Sequence, residues 1–189
     1  IELEEIIHTL KATFSHSNNM EITLEINPGE NSLEELQSFR KIGVNRASLG
    51  FQTLDSKLLK LLTRTHILDD CIALYENARE AGIENISIDM LYNIPGQSVT
   101  QWLNDLKTVV EMQPDHIAMY SLTAERDTPF YTDIQNGDLS LPDAAIEGKM
   151  YKQGSQYLRD CRFTQYEISH FAKPGKECHH NLHYWKRDP

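Results

Sequence analysis

Arg79-Glu80-Ala81-Gly82-Ile83, followed by Ile86-Ser87-Ile88-Asp89-Met90, decides the fold class. The first five residues read as a helix end, a glycine in the left-handed stop position and a strand entry. The next five alternate apolar and polar, two of them β-branched isoleucines, hence a strand. Upstream, Ile72, Tyr75, Ala78 and Ala81 fall on one face of a helix opened by Asp69 or Asp70. The same passage occurs earlier as Arg40-Lys41-Ile42-Gly43-Val44, leading into a strand over 44–52. Its helix starts at Ser32-Leu33-Glu34-Glu35, a capping box in which the Ser32 hydroxyl accepts from a free backbone N–H and Glu35 reaches back. Before that helix, Glu21-Ile22-Thr23-Leu24-Glu25-Ile26 alternates strictly. Residues 1–14 place Leu3, Ile6, Ile7, Leu10 and Phe14 on a helical stripe.

Downstream the spacing predicts a helix over 99–112, a strand His116-Ile117-Ala118-Met119-Tyr120, a helix over 142–160 and a strand over 163–168. Residues 121–141 form a connection of the length that usually carries function. Five strand–helix alternations argue an α/β fold with parallel strands. A doubly wound sheet and a (β/α) barrel share that pattern. No Gly-x-Gly-x-x-Gly follows a strand, so dinucleotide binding has no support. The organisation expected is one domain over 1–170 and an irregular segment over 171–189.

Composition narrows the function classes. The chain has 189 residues, 40% apolar and 24% charged, with net charge −10. That is an ordinary globular mix. The acidic balance, without a basic run, excludes a nucleic-acid partner. No apolar run is long enough to span a membrane. Cys71, Cys161 and Cys178 are an odd, scattered set, which points to a reducing, cytoplasmic location rather than a disulfide framework. The start at Ile1 and the stop at Pro189, just past an aromatic cluster, read as a piece of a longer protein.

In parallel α/β folds ligands sit at the carboxyl ends of strands. Polar residues there are the candidates: Glu25, Gln52, Asp89, Arg64 in the connection after the second strand, Glu125 and Glu167. Asp89, between Ile88 and Met90, costs several kcal/mol or so if buried without donors. A loop hydrogen bond is its bland explanation, and Glu25 equally suits a solvent-facing position. Together, two carboxylates, an amide and a guanidinium suit a zwitterionic, hydroxyl-rich ligand. Asn93-Ile94-Pro95-Gly96 reads as a sharp turn in which Asn93 tolerates positive φ. Cys178-His179-His180-Asn181-Leu182-His183-Tyr184-Trp185 suggests metal or heme ligation, although the spacing matches no zinc signature and a solvated loop explains it as well. Cys71 and Cys161 read as inert.

Four segments carry a resemblance: Glu21 to Gly29, Gly43 to Gln52, Ser87 to Gln97 and Gln165 to Ala172. They come in order across nearly the whole chain. The sequence resembles the oxygen-independent coproporphyrinogen III oxidase (coproporphyrinogen dehydrogenase) family of radical S-adenosylmethionine (SAM) proteins. His180-Asn181-Leu182-His183-Tyr184-Trp185 resembles the His-Asn-x-x-Tyr segment of its heme-chaperone branch. The resemblance implies a partial (β/α)6 barrel with parallel strands, binding SAM and a 4Fe-4S cluster. It places Glu25, Gln52, Arg64 and Asp89 on cofactor contacts, with Arg64 toward the methionyl carboxylate and the backbone near Leu91 and Thr123 toward the adenosyl part. It makes His180, Asn181, His183 and Tyr184 heme-side candidates, and heme or a porphyrinogen the ligand, with a heme-recipient protein as partner. The alternatives are oxidative decarboxylation of coproporphyrinogen III and a non-catalytic barrel fragment. The family's Cys-x-x-x-Cys-x-x-Cys cluster set has no counterpart in this sequence, so a cluster cannot form from these residues and the chain by itself is expected to be inactive. Arg162 and Asn93 stand where the family commonly has glycine.

Overall fold

The computed structural model describes residues 2–187, so the last two residues of the expected C-terminal segment lie outside the described part. Helix α1 (Glu2–Thr13) leads to strand β1 (Thr23–Ile26), helix α2 (Leu33–Ile42) and strand β2 (Arg46–Gln52). Helices α3 (Ser56–Leu61) and α4 (Leu68–Glu80) precede β3 (Asn85–Tyr92), then α5 (Val99–Glu111) and β4 (His116–Ser121). Helices α6 (Pro129–Asn136) and α7 (Ala144–Asp160), strands β5 (Thr164–Gln165) and β6 (His170–Ala172), and helix α8 (His179–Lys186) complete the order.

The strands form one sheet in the order β1-β2-β3-β4-β6-β5. β1 to β4 pair in parallel, each connected through helix, which gives the expected mostly parallel α/β barrel fragment. Alternation along the strands sends Ala47, Leu49 and Phe51 of β2, and Ile86, Ile88 and Met90 of β3, to one face, all fully buried. They pack against Leu36 of α2, Leu74 and Ala78 of α4, Trp102 and Leu106 of α5 and Met150 and Leu158 of α7. Burying each such side chain contributes about 1.5–3 kcal/mol. The Trp102 indole N–H donates to the Met150 carbonyl at 3.1 Å, so this bulky ring has its polar atom satisfied.

The helix signals act as expected. Ser32 and Glu35 form both bonds of the capping box, and Gly43 ends α2 at φ 113°. Asp70 does not open α4 as its cap. It sits three residues in and its carboxylate accepts from the Ile67 N–H at 2.9 Å.

Three features depart from expectation. The connection after β2 contains α3, capped by Asp55 accepting from Lys57 and Leu58 N–H. The long connection after β4 contains α6, with Thr128 as cap, Pro129 at its first position and Gly137 closing it in the left-handed region. The strand expected over 163–168 is not one parallel strand. Glu167 Oε1 accepts from Ser169 N–H at 2.7 Å and lies 2.6 Å from His170 Nδ1, which reverses the chain. Two-residue β5 therefore pairs antiparallel with β6, and β6 antiparallel with β4. The segment after 170 is likewise not irregular: β6 lies in the sheet and α8 is helical.

Candidate cofactor and ligand site

The other face of the sheet is polar. Alternation gives it Arg46, Ser48, Gly50 and Gln52 from β2, Ser87 and Asp89 from β3, and His116 and Tyr120 from β4. Together with the 17–23 segment and α8 these strands enclose a cavity of about 840 Å³. Glu25 and Asp89 line it from the strands; His179, His180, Asn181 and His183 line it from α8.

Asp89 has its donors. Ser48 Oγ donates to both of its oxygens, at 3.0 and 2.8 Å, and Ser87 Oγ to Oδ1 at 3.1 Å. Burial still pushes its carboxyl above the usual range, against those hydroxyls and the Arg46 charge, with Glu25 pushing the same way as burial. Ser87 Oγ lies 2.8 Å from His116 Nδ1, and His116 Nε2 lies 2.8 Å from Tyr166 OH. Donor counting orients the chain: Tyr166 donates to His116, His116 to Ser87, and Ser87 to Asp89. Burial first, then Arg46 and His170, hold His116 well below its ordinary pKa, so the ring is neutral. Burial drives the Tyr166 phenol up to about 12.

A second imidazole lies 5.2 Å from the first, centre to centre. His170 takes Tyr120 OH at Nε2, 2.6 Å away, and faces Glu167 with Nδ1. A carboxylate so placed raises an imidazole pKa, but burial outweighs it and His170 is lowered. Asn181 of α8 reaches the same ring at 3.1 Å, tying the C-terminal helix to the cavity wall. The Cys178 N–H, at the start of α8, donates to Tyr166 OH at 3.3 Å.

Gln52 and Arg64 do not line that cavity. Arg64 Nη1 donates to Asn27 Oδ1 at 2.9 Å, on a separate hollow of about 400 Å³. An extra residue in β2 between Leu49 and Gln52 shifts the register against β3, and Gln52 adopts φ 67°. Its amide folds back over Gly50. A Cβ there would stand 2.9 Å from Gln52 Nε2 and 3.1 Å from Asn27 Oδ1, so glycine holds the cradle between Gln52 and Asn27 open.

Of the other candidates, Leu91 pairs with Tyr120 and its carbonyl accepts from Gln97 Nε2 at 3.4 Å. Thr123 is exposed just past β4. Tyr184 stands outside the cavity, 72% exposed and edge-on to Trp185. Glu125 and Glu167 sit in turns rather than at strand ends. Sequence reasoning missed Arg46, Ser48, Ser87, His116, Tyr166 and His170. The signal was present for two of them: Ser48 and Ser87 stand between apolar residues in β2 and β3, strands whose neighbours are all parallel.

The donor set fits a zwitterionic nucleoside. Its parts are divided: Arg64 lies with Asn27 on the smaller hollow, the Gln52 amide folds over Gly50, and Glu25 and Asp89 line the larger cavity. It does not fit an iron–sulfur cluster. Cys71, Cys161 and Cys178 are free and apart, on α4, at the end of α7 and before α8, and no group of three or more His, Cys, Asp and Glu among the described residues is placed to hold a metal ion.

The model of the radical SAM superfamily matches residues 1–109. The chain belongs to the radical SAM superfamily. Over 188 residues it is 36% identical to a Bacillus subtilis protein named heme chaperone HemW, covering 99% of this chain and 50% of the relative. It is 39% identical over 166 residues to the bovine mitochondrial radical S-adenosyl methionine domain-containing protein 1, covering 88% and 38%. The solved coproporphyrinogen III oxidase HemN of Escherichia coli superposes with TM-score 0.80 at 25% identity, covering 93% of this chain and 40% of that one. The chain thus spans about half the length, or less, of these relatives. Superfamily membership implies SAM and a 4Fe-4S cluster as cofactors. Among the described residues no helix is long and apolar enough to cross a membrane.

Proposed function

We propose that the protein containing this chain is a SAM-binding heme chaperone, which takes up heme against α8 and passes it to a recipient apoprotein. The observation that carries this reading is that His180 and His183 line the same cavity as Glu25 and Asp89. Imidazole is a common ligand of heme iron, and the relatives named heme chaperone support the choice. SAM sits at the strand ends: the Arg64 fork takes its methionyl carboxylate, Gln52 and Asn27 hold the amino-acid part over Gly50, and Glu25 and Asp89 accept from amine and hydroxyls. The peptide edges at Leu91 and Thr123 border the adenosyl part. When bound beside its cluster, SAM supplies one-electron chemistry; the residues of this chain bind, orient and exclude water. A cytoplasmic location belongs to this reading, although the bovine relative is named mitochondrial.

Titrating heme into the full-length protein tests the reading. The expected result is a Soret shift that His180→Ala weakens by tenfold or so in affinity, with SAM affinity retained. No shift in the unaltered protein refutes it. The similarity to the solved oxidase favours a second reading, oxidative decarboxylation of a porphyrinogen. An anaerobic assay with reductant that yields a vinyl-bearing product from the full-length protein would establish that reading over the first.

A further inference from the structure

Arg46 is 4% exposed and lines the cavity. Its Nε is buried and has no hydrogen-bond partner. Among the described residues no carboxylate forms an ion pair with it. The nearby acid, Asp89, is taken up by Ser48 and Ser87, and the pairs within 4.0 Å are Arg79 with Asp115 and His170 with Glu167. A buried guanidinium N–H left without an acceptor costs roughly 1–3 kcal/mol, and native structures rarely keep one unless a ligand or water supplies the acceptor. Glu25 of the adjacent strand β1 lines the same cavity but forms no ion pair with Arg46, and the other groups around it are engaged with one another. His116 of β4 and Tyr166 bond one another, and His170 of β6 bonds Tyr120 and Glu167. Cys178 begins α8 with its thiol 3.5 Å from Glu21 Oε1.

We propose that Arg46 is the carboxylate anchor of this cavity, receiving a propionate of a tetrapyrrole whose metal faces α8. The inference rests on the heme reading above and adds the side of the ligand that this chain grips. Three observations converge on it. Arg46 and His180 line one cavity from opposite elements, β2 and α8. The volume of about 840 Å³ lies in the range of sites that enclose a cofactor-sized ligand. The planar fork of arginine matches a carboxylate bidentately, and Nε of Arg46 has no partner to give up; in the reading above Arg64 takes the carboxylate of SAM, which leaves Arg46 for a different one.

The test uses the full-length protein, hemin and hemin dimethyl ester, in which both propionates are blocked. The unaltered protein is expected to bind hemin about tenfold tighter than the ester or better. Arg46→Met should bring the two ligands within about twofold of each other, and Arg46→Lys should restore part of the preference. SAM affinity should stay within about twofold in both variants. A further signature is independent of binding. Without ligand, Arg46→Met removes an unpaired buried charge and should melt a few degrees or so higher than the unaltered protein. A preference that survives Arg46→Met overturns the proposal. So does lost SAM affinity with the preference intact, because Arg46 would then serve the cofactor. A lower melting point in the ligand-free Arg46→Met variant also overturns it, because Arg46 would then be held in a structural pair. If neither hemin nor its ester binds the unaltered protein, the heme reading itself falls, and this inference with it.

Discussion

The two faces of this sheet have opposite jobs, although they are made by adjacent residues of the same strands. On the helix-covered face, Leu49, Phe51, Ile86, Ile88 and Met90 are fully buried among apolar partners. On the cavity face, one residue along in each strand, stand Arg46, Ser48, Gly50, Ser87 and Asp89. The first face carries hydrophobic burial, the dominant favourable contribution to folding. The second keeps a guanidinium Nε without an acceptor and a carboxyl whose burial disfavours its charge. Groups that a ligand must find ready are held there at some cost in stability. The difference teaches that in this fold the alternation of a strand separates what folds the chain from what the chain does.

Neighbouring substitutions in β2 should break that symmetry most visibly. Phe51→Ala leaves a cavity among the helices and is expected to cost about 3–5 kcal/mol, read as a large drop in denaturation midpoint. Gly50→Ala, one residue earlier, should leave most of the stability and instead push Gln52 and Asn27 off the cradle. Its expected signature is a SAM affinity weaker by about tenfold or more by calorimetry. Equal loss of stability in the two variants, with SAM binding unchanged in Gly50→Ala, would erase the distinction between the faces.

The cavity face should also make stability sensitive to acid. His116 and His170 both have folded pKa values below 6.5, chiefly through burial. Above pH 6.5 they are neutral folded or unfolded, and stability is complete. As pH falls below 6.5 the unfolded chain takes up protons that the folded chain refuses, so stability declines until the folded pKa is reached. The slope is at most about 1.4 kcal/mol per pH unit for each ring. Asp89 and Asp105, raised by burial, act in the opposite sense, since their contribution is lost as pH rises through their folded pKa. Melting points between pH 6.5 and about 5 should therefore fall, and His170→Gln should flatten the decline. A profile that His170→Gln leaves unchanged would mean that this ring titrates freely and that the wall around Arg46 is open to water.

The helix-covered face was legible in the sequence because its signals are local. The Ser32–Glu35 box, the stop at Gly43 and the apolar alternation of β2 and β3 each lie within a few residues. Asp89 was singled out because a carboxylate in an apolar strand is conspicuous. Arg46 and His116 were not, since each opens its strand, where a polar residue is unremarkable until the pairing of β2, β3 and β4 sets them side by side. Gln52 does end β2 and Arg64 lies in the connection after it, but the fold of the Gln52 amide over Gly50 depends on the extra residue in β2, which no local pattern announces. The β5–β6 reversal was missed for a related reason. Residues 163–168 have strand character, and only the Glu167 carboxylate, capturing the Ser169 N–H and facing His170, turns the chain back on itself.

The smallest effect concerns the connections, where glycine is expected by resemblance and other residues stand. Both departures take left-handed backbone, φ 67° at Asn93 and φ 67° at Arg162. Asn93 tolerates this through its short polar side chain, with Nδ2 donating to Ser121 Oγ at 3.3 Å. Arg162 has no such compensation. Its residue is exposed, and a left-handed L-residue costs about 1–2 kcal/mol, against roughly 0.5–1 kcal/mol of extra chain entropy for glycine. Arg162→Gly should therefore raise stability by about 0.5–1 kcal/mol, while Asn93→Gly should gain less or nothing. Both substitutions lie outside the helix-packed core and off the cavity lining, so neither should alter SAM or heme affinity. A stability gain at Asn93 as large as that at Arg162 would show that the Ser121 contact does not hold the turn at the end of β3.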